Sequence, residues 1–272
     1  MLIYAIIANV SPAAMFLAGI LPGFVIGLIL MITIYIQVTL GLRDCPPPVK
    51  FSLKRLIKTS KDGVLSLLSP FIILWGMVSG VVTPTEAGVL AVFYSLFLGF
   101  IYRSFNWKVV RKALLDTVKT SSLILYIIAV SSVLAWVMVN EGTAYDIAEW
   151  LGKITDNPLI LLAIINVFLL ILGAILETLP AMLIAVPVLL PAIDALGIDR
   201  VHFGIIVIFN LLIGIITPPM GIGLYILAAI SGVRVDRLVI ASIPYMITLI
   251  IALIAITYIP ILTLYLPEHL LN

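Results

Sequence analysis

Halfway along an apolar run at residues 204–231 the sequence reads Gly214-Ile215-Ile216-Thr217-Pro218-Pro219-Met220-Gly221-Ile222-Gly223. Neither proline has an amide hydrogen, and Pro219 also disfavours the α region for the residue before it. The glycines permit close backbone approach. We predict a discontinuous helix whose freed carbonyls and Thr217 hydroxyl suit a small cation, while its freed amides suit an anion. The alternative is a proline kink that serves only packing.

A second interruption divides the apolar region at residues 158–193, at Leu176-Glu177-Thr178-Leu179-Pro180-Ala181. Pro187 and Pro191 in the second arm disfavour a regular full-length span. Irregular backbone at this depth is tolerated only against protein or a water-filled cavity. We therefore expect a re-entrant helical hairpin with a functional tip. Two full spans joined by an interfacial turn remain the alternative.

The composition places most of this 272-residue chain inside a bilayer. Residues of the set AVILMFWYC make up 63% and charged residues only 10%, against about 45–50% and about 25% in soluble domains. A water-soluble enzyme and a disordered chain are excluded. The net charge of +2 does not indicate the strongly basic surface that nucleic-acid binding requires. Cys45 is the only cysteine, so an internal disulfide and a Cys/His metal site are excluded as well.

The charged connectors predict the topology. Uncharged spans fall at about 18–42, 64–82, 84–103, 118–139, 204–231 and 239–265. Connectors 43–63 and 104–117 are basic and are expected in the cytoplasm, whereas 140–157 is acidic and is expected in the periplasm. Residues 50–61 and 144–155 could each form an amphipathic interfacial helix or a polar loop.

Two acids, Glu86 and Glu177, remain at membrane depth, where a charge costs ~2.5–3.5 kcal/mol on insertion scales. Glu86 follows Thr83, Pro84 and Thr85, a pattern typical of a helix start in which Glu86 caps amides. We therefore expect a structural role for these four residues.

Sequence similarity between two segments of the chain suggests inverted repeats. Residues 3–10, followed by 20–22, are similar to 224–229, followed by 242–244, and the predicted topology gives the two copies opposite orientations. The sequence thus predicts an all-α polytopic membrane protein with an ion-transporter-type inverted-repeat fold. Residues 1–42 would be the tail of a first repeat whose hairpin and proline break are absent.

The chain resembles the large membrane subunit (M, DctM-like) of tripartite ATP-independent periplasmic (TRAP) transporters. The resemblance rests on Phe16 through Gly23, Thr83 through Ala87, and Pro191 through Pro219. It implies sodium-coupled import of an organic acid, such as a C4-dicarboxylate or sialic acid, by an elevator-type mechanism in the bacterial inner membrane. The implied partners are a small Q-type membrane subunit, a periplasmic P-type binding protein and the missing N-terminal half of the M subunit. Neither enzymatic activity nor an organic cofactor is expected.

The resemblance also assigns domains and a site. Residues 43–63 form a basic connector, 64–157 scaffold-type helices, and 158–272 a transport-type domain with hairpin 158–193, broken helix 204–231 and last helix 239–265. The tip reads Glu-Thr-Leu-Pro-Ala, where the family often has a shorter acid followed by Thr-Gly. The implied Na⁺ site comprises Thr178, Leu179, Pro180, Gly214, Thr217, Pro218 and Gly221. Substrate-side candidates are Glu177, Ala181, Pro219, Met220 and Gly223.

Three other functions fit less well. A related ion-coupled permease, such as a dicarboxylate or arsenite-type carrier, would work without a binding protein. An intramembrane hydrolase could use Glu86 and Glu177 as an acid pair, but their predicted depths differ and no nucleophile motif accompanies them. The chain in isolation could also be a half-transporter fragment that transports nothing, unless a second chain supplies the first repeat.

Overall fold

A computed structural model describes residues 1–41, 52–103, 105–155 and 157–271. The described residues form thirteen α-helices and no strand. Apolar chain in lipid must satisfy its backbone groups internally, which favours helices. In chain order the helices are α1 (Leu2–Ala8), α2 (Pro12–Ala18), α3 (Ile20–Thr39), α4 (Leu53–Val78), α5 (Pro84–Ile101), α6 (Trp107–Asn140), α7 (Thr143–Ile154), α8 (Pro158–Ile175), α9 (Thr178–Ala195), α10 (Arg200–Gly214), α11 (Ile222–Ser231), α12 (Val235–Tyr258) and α13 (Ile261–Leu270).

Among the described residues, six helical stretches are long and apolar enough to cross a bilayer, since a span needs ~20 apolar residues. In five of the six, less than half of the apolar window is buried inside the protein, as expected for helices that face lipid. The prediction of an all-α polytopic membrane protein is therefore confirmed. The six stretches are Pro12–Thr39, Pro84–Ile101, Trp107–Met138, Pro158–Ile175, Thr178–Ala195 and Val235–Tyr258.

The chain divides into two compact units, and unit 1 comprises residues 1–42 and 126–272. Its core forms where α8, α9 and α10 pack together. Small residues allow close packing, since membrane helices associate largely through van der Waals contact. The buried core includes Leu161, Ile165 and Leu169 of α8, Ala181, Val186 and Leu189 of α9, and Ile206, Leu211 and Ile213 of α10.

Hydrogen bonds with Arg200 link the short helix α1 to the rest of unit 1. The last carbonyls of a helix have no partner within it, and the Arg200 Nη1 donates a hydrogen bond to the Ala8 carbonyl at 2.9 Å. The guanidinium is oriented by two bonds to the Asp194 carboxylate, at 2.9 and 2.7 Å. The Tyr4 hydroxyl in turn donates to the Arg200 carbonyl at 2.7 Å.

Helix α7 corresponds to the segment 144–155, for which the sequence left open a helix or a loop. Ile147 packs against the core of unit 1, while Trp150 is exposed. Lys153 Nζ lies 2.6 Å from Glu149 Oε1 one turn away, and this bond and the lysine charge lower the pKa of Glu149. A helix therefore forms here, as the amphipathic pattern allowed.

Unit 2 comprises residues 43–125 and is built around the antiparallel pair α4 and α5. The Tyr94 hydroxyl donates to the Leu65 carbonyl at 2.6 Å, which sets the register of the pair. The turn between them needs a positive φ at Gly80, where φ is 70°.

The structure differs from the sequence expectation at two helices. Helix α9 runs without interruption through Pro187 and Pro191, although these prolines disfavour a regular span. Packing of its other residues against α7 and α10 outweighs the backbone bonds that the prolines remove. The expected last span 239–265 ends at Tyr258, and α13 follows Pro260. Whether α8 and α9 are re-entrant or cross fully stays a prediction.

Two further expectations concern the connector 43–63. Residues 42–51, including Cys45, lie outside the described residues. From Leu53 onward the basic segment is the first part of α4 rather than a separate helix. The assignment of residues 64–157 to a scaffold and 158–272 to a transport domain stays a prediction.

Candidate ion and substrate site

The hairpin tip is a short extended segment between two helices. Helix α8 ends at Ile175, Leu176 and Glu177 have extended backbone angles, and α9 begins at Thr178. The Ala181 amide donates to the Glu177 carbonyl at 3.1 Å, which closes the first turn of α9. The amides of Thr178 and Leu179 lie in that first turn, at the positive end of the helix dipole.

The helix break lies where the Pro-Pro pair predicts it. Helix α10 ends at Gly214, residues 215–221 form turns, and α11 begins at Ile222. Gly221 adopts a left-handed conformation with φ 46°, which disfavours residues with a Cβ. The prediction of a discontinuous helix is therefore confirmed.

The helix break lies against the last turn of α8, the helix that leads into the tip. The Met220 amide donates to the Ala174 carbonyl at 3.2 Å, a backbone bond from the break to the last turn of α8. Gly214 lies directly on the backbone of Gly173, so close that a Cβ at Gly214 would overlap it. Two glycines thus allow α8 and α10 to meet beside the predicted site.

Several backbone groups of the break are bonded within the break itself. The Gly214 carbonyl accepts from the Thr217 amide at 3.0 Å, and the Ile215 carbonyl accepts from the Gly223 amide at 3.0 Å. The Gly221 carbonyl accepts from the Leu224 amide at 2.7 Å. The sequence expectation that the break leaves its carbonyls and amides free is therefore wrong for these groups, because the chain folds back tightly enough to pair them.

The tip and the break each carry one threonine hydroxyl, that of Thr178 and that of Thr217. The Thr217 hydroxyl donates to the Ile213 carbonyl at 2.8 Å, which leaves its oxygen free to accept a bond or a cation. The Thr178 hydroxyl is buried and has no hydrogen-bond partner in the described part of the chain. An unbonded buried hydroxyl costs ~1–3 kcal/mol, so it is a notable exception in a well-packed region.

The predicted site residues differ in exposure. Some are buried in helix packing and others face outward, and the structure gives no ligand geometry for any of them. Their roles as Na⁺ ligands or substrate contacts stay predictions. Gly214, Gly221 and Ala181 are buried; Thr178, Leu179, Pro180, Thr217 and Gly223 are half-buried; Glu177, Pro218, Pro219 and Met220 are exposed.

Glu86 takes part in a helix cap. The Thr83 amide donates to Glu86 Oε2 at 2.7 Å, and the Glu86 amide donates back to the Thr83 hydroxyl at 3.3 Å. Pro84 occupies the first turn of α5 and Thr85 follows it. This reciprocal pair is a capping box, which gives both residues a structural role. Glu86 lies in unit 2 and Glu177 in unit 1.

The sequence analysis missed a buried polar network in unit 1. Asn210 of α10 donates to Asn166 Oδ1 of α8 at 2.6 Å, and Asn166 Nδ2 donates to the Thr257 hydroxyl of α12 at 2.9 Å. His202 Nε2 lies 3.2 Å from the Thr257 carbonyl oxygen, and its Nδ1 lies 2.7 Å from the Thr263 hydroxyl. Asparagines within apolar runs were the available signal, since polar groups in membrane helices usually bond across helices.

Asn210 is fully buried one turn before the helix break, and its Oδ1 has no partner among the described residues. Its amide orientation is fixed because Nδ2 also donates to the Ile206 carbonyl at 3.0 Å. No group of three or more His, Cys, Asp or Glu that could hold a metal ion occurs among the residues the structure describes.

Comparison with known proteins identifies the family. Residues 1–262 match the family described as "Tripartite ATP-independent periplasmic transporter, DctM component". The chain is 36% identical to the C4-dicarboxylate TRAP transporter large permease protein DctM of Pseudomonas aeruginosa, over 99% of this chain and 63% of that protein. It is 38% identical to the sialic acid TRAP transporter large permease protein SiaM of Vibrio cholerae, over 100% of this chain and 64% of that protein.

A third relative is named for a different substrate. The chain is 32% identical to the 2,3-diketo-L-gulonate TRAP transporter large permease protein YiaN of Escherichia coli, over 95% of this chain and 61% of that protein. The chain thus spans less than two thirds of the length of these relatives. It belongs to the DctM component family of tripartite ATP-independent periplasmic transporters and is a polytopic protein of the inner membrane.

Proposed function

We propose that this chain contributes to the large membrane subunit of a sodium-coupled TRAP transporter that imports an organic acid. The three relatives described above are named for C4-dicarboxylates, sialic acid and 2,3-diketo-L-gulonate, which are all carboxylates. The complete transporter would also contain a small membrane subunit, a periplasmic binding protein and the first-repeat half of the large subunit. The substrate class is supported by these names together with the site chemistry below.

The observation that supports the sodium site is the contact between the helix break and the last turn of α8, which leads directly into the hairpin tip. The Met220 amide bonds to the Ala174 carbonyl there, and the unpartnered Thr178 hydroxyl lies at the start of α9. Hydroxyl and carbonyl oxygens are hard ligands, which suit Na⁺. We propose that Thr178 and Thr217 supply hydroxyl oxygens and that backbone at 178–180 and 214–221 supplies the rest.

The proposed anion site has an unusual constraint. Residues 158–195 and 204–231 contain no Lys or Arg, so no side-chain cation of these segments can pair with a carboxylate. The available groups are the first amides of α9, the hydroxyls and the bound cation itself. A cation that must be present before the anion can bind provides a direct reason for coupling. Glu177 and the exposed residues 218–220 of the break are the proposed substrate-side elements.

We also propose that the hairpin and the broken helix move as an elevator. The grouping of contacts supports this, because residues 43–125 form a unit separate from α8, α9, α10 and α11. Each Na⁺ that crosses a potential of 100 mV releases ~2.3 kcal/mol. The potential acts on the net charge that crosses, so two Na⁺ imported with a monocarboxylate carry one net charge, which at ~1.4 kcal/mol per tenfold sustains a roughly fortyfold substrate gradient.

The test is uptake into proteoliposomes that contain the chain with its subunits, with choline replacing sodium in parallel. Thr217→Ala and Pro219→Ala should abolish sodium-dependent uptake while membrane insertion is kept. Thr39→Ala is the control, because the Thr39 hydroxyl donates in the same way to the carbonyl one turn back, at 3.0 Å, on an exposed surface. Normal uptake by both site variants would refute the proposed site.

Omitting the binding protein separates the proposal from its alternative. A TRAP transporter should show no uptake without it. An ion-coupled permease of the same superfamily that works alone would retain full uptake, and this result would assign the chain to that group.

A further inference from the structure

We propose that the basic face at the start of α6 binds an anionic phospholipid whose headgroup carries two phosphates, as in cardiolipin. The basic face consists of Lys108, Arg111, Lys112 and Lys119. It lies in unit 2 and is independent of the ion and substrate site. The proposal rests on groove geometry, unpaired charge and membrane depth.

The basic side chains line one groove. They are joined by Leu115 and Asp116, so the groove is a shallow, open depression between side chains of α6 alone. The spacing of the six residues places them along one face of the helix. From Lys108 to Lys119 the helix rises about 16 Å, at ~1.5 Å per residue. This length exceeds what one phosphate can occupy, so the groove suits a headgroup with two phosphates.

The charge of the groove is not balanced within the chain. Four basic residues and the single acid Asp116 give a net charge of +3. All four basic side chains are exposed, and in the part of the chain that the structure describes they form no ion pair. An anionic ligand must therefore come from outside the chain.

Aromatic residues lie at the start of α6, next to the basic face. Phe105 stacks on Phe100 with ring centroids 4.2 Å apart, and its amide donates to the Gly99 carbonyl at 3.0 Å. Trp107 opens α6 and is 69% exposed. Asn106 Oδ1 accepts from the Lys108 amide at 2.9 Å, which starts the helix at this point. Aromatic rings concentrate at the headgroup level of a bilayer.

The charges keep the next turns of α6 at the same depth. Lys and Arg are costly in the hydrocarbon region, so residues 108–119 must stay among the headgroups before the apolar part of α6 crosses. Leu115 is exposed in the middle of the basic face. An apolar side chain between phosphate-binding groups can contact acyl chain, which favours a lipid over an acidic protein.

Helix α4 provides a matched control. Lys54 and Lys58 have the same one-turn spacing as Lys108 and Lys112, and both are exposed. The register set by Tyr94 and Leu65 places Lys58 opposite Ile101, at the end of the α4–α5 pair from which the chain passes into α6. The two lysine pairs therefore lie at the same end of unit 2, but the α4 pair does not line the groove.

The experiment is native mass spectrometry of the purified full chain in detergent, titrated with cardiolipin, phosphatidylglycerol or phosphatidylcholine. Wild type should bind cardiolipin most tightly and phosphatidylcholine least. Lys108→Gln with Lys112→Gln should weaken cardiolipin binding about 25-fold, which corresponds to ~1 kcal/mol per lysine at ~1.4 kcal/mol per tenfold. Lys54→Gln with Lys58→Gln should change it less than about twofold. Circular dichroism confirms that both variants are folded.

Three results would overturn the proposal. Equal losses in both double variants would show a general effect of surface charge. Equal affinity for cardiolipin and phosphatidylglycerol would remove the two-phosphate argument. Unchanged lipid binding by the α6 variant, together with loss of a co-purifying acidic subunit, would assign the basic face to a protein partner.

Discussion

The Thr178 hydroxyl has no hydrogen-bond partner among the described residues, which allows a direct test of the sodium proposal. A substitution that removes this hydroxyl should raise the stability of the protein without Na⁺ and reduce the stabilisation that Na⁺ provides. Valine has nearly the shape of threonine and lacks the hydroxyl. If this oxygen binds Na⁺, Thr178→Val removes a ligand. In the absence of Na⁺ the same substitution removes an unbonded buried polar group.

The magnitudes follow from these two states. An unbonded buried hydroxyl costs ~1–3 kcal/mol, so without sodium the variant should be more stable by about 1 kcal/mol. In a chain of this size ~1 kcal/mol shifts Tm by about 2–4 °C. Sodium at a hundred times its Kd stabilises the wild type by ~2.7 kcal/mol, and tenfold weaker binding reduces this gain to ~1.4 kcal/mol. The variant should therefore melt higher in choline and gain about half as much from sodium.

The assay is thermal unfolding in detergent, with sodium chloride exchanged for choline chloride at constant ionic strength. Thr39→Val is the control, because the Thr39 hydroxyl is exposed and bonded to the Tyr35 carbonyl at 3.0 Å. It should leave the sodium-dependent shift of Tm unchanged. A sodium-dependent shift in Thr178→Val equal to that of wild type would refute the ion-binding role and leave Thr178 as a packing defect.

Two further predictions concern the packing around the site. Gly214→Ala should destabilise unit 1 by ~1–3 kcal/mol because the added Cβ overlaps Gly173. Gly27→Ala is the control, because its Cβ meets no atom within 4 Å, and it should be neutral or stabilising in the same thermal melts. Unchanged stability of Gly214→Ala would contradict the close α8–α10 contact. Asn210→Leu should cost ~1–2 kcal/mol by leaving Asn166 Oδ1 without a donor. Adding Asn166→Leu should recover part of this loss, and additive losses in the double variant would argue against a coupled pair.

The local features were the most predictable from sequence. The break between α10 and α11 follows from Pro218 and Pro219, which remove donors wherever they occur in a helix. The start of α5 follows from Thr83 and Glu86, which bond to each other's backbone across one turn. In both cases the interacting atoms are neighbours in the chain, so the pattern suffices.

Local sequence patterns were less reliable where residues distant in the chain pack together. Pro187 and Pro191 disfavour a regular full-length span, yet α9 is a continuous helix because α7 and α10 pack against it. The break was expected to leave its backbone groups free, but the turn pairs several of them. Local preference is a weak guide when tertiary packing contributes more free energy than the missing bonds cost.

By itself the sequence determined that this chain is an all-helical membrane protein with a divided helix, because hydropathy and proline chemistry act over a few residues. The tertiary structure alone placed Gly173 against Gly214, joined Asn166 to Asn210 and left the Thr178 oxygen without a partner. These facts depend on residues far apart in the chain, and no local pattern specifies which helix faces meet. The site is therefore a property of packing, although each residue in it can be read from the sequence.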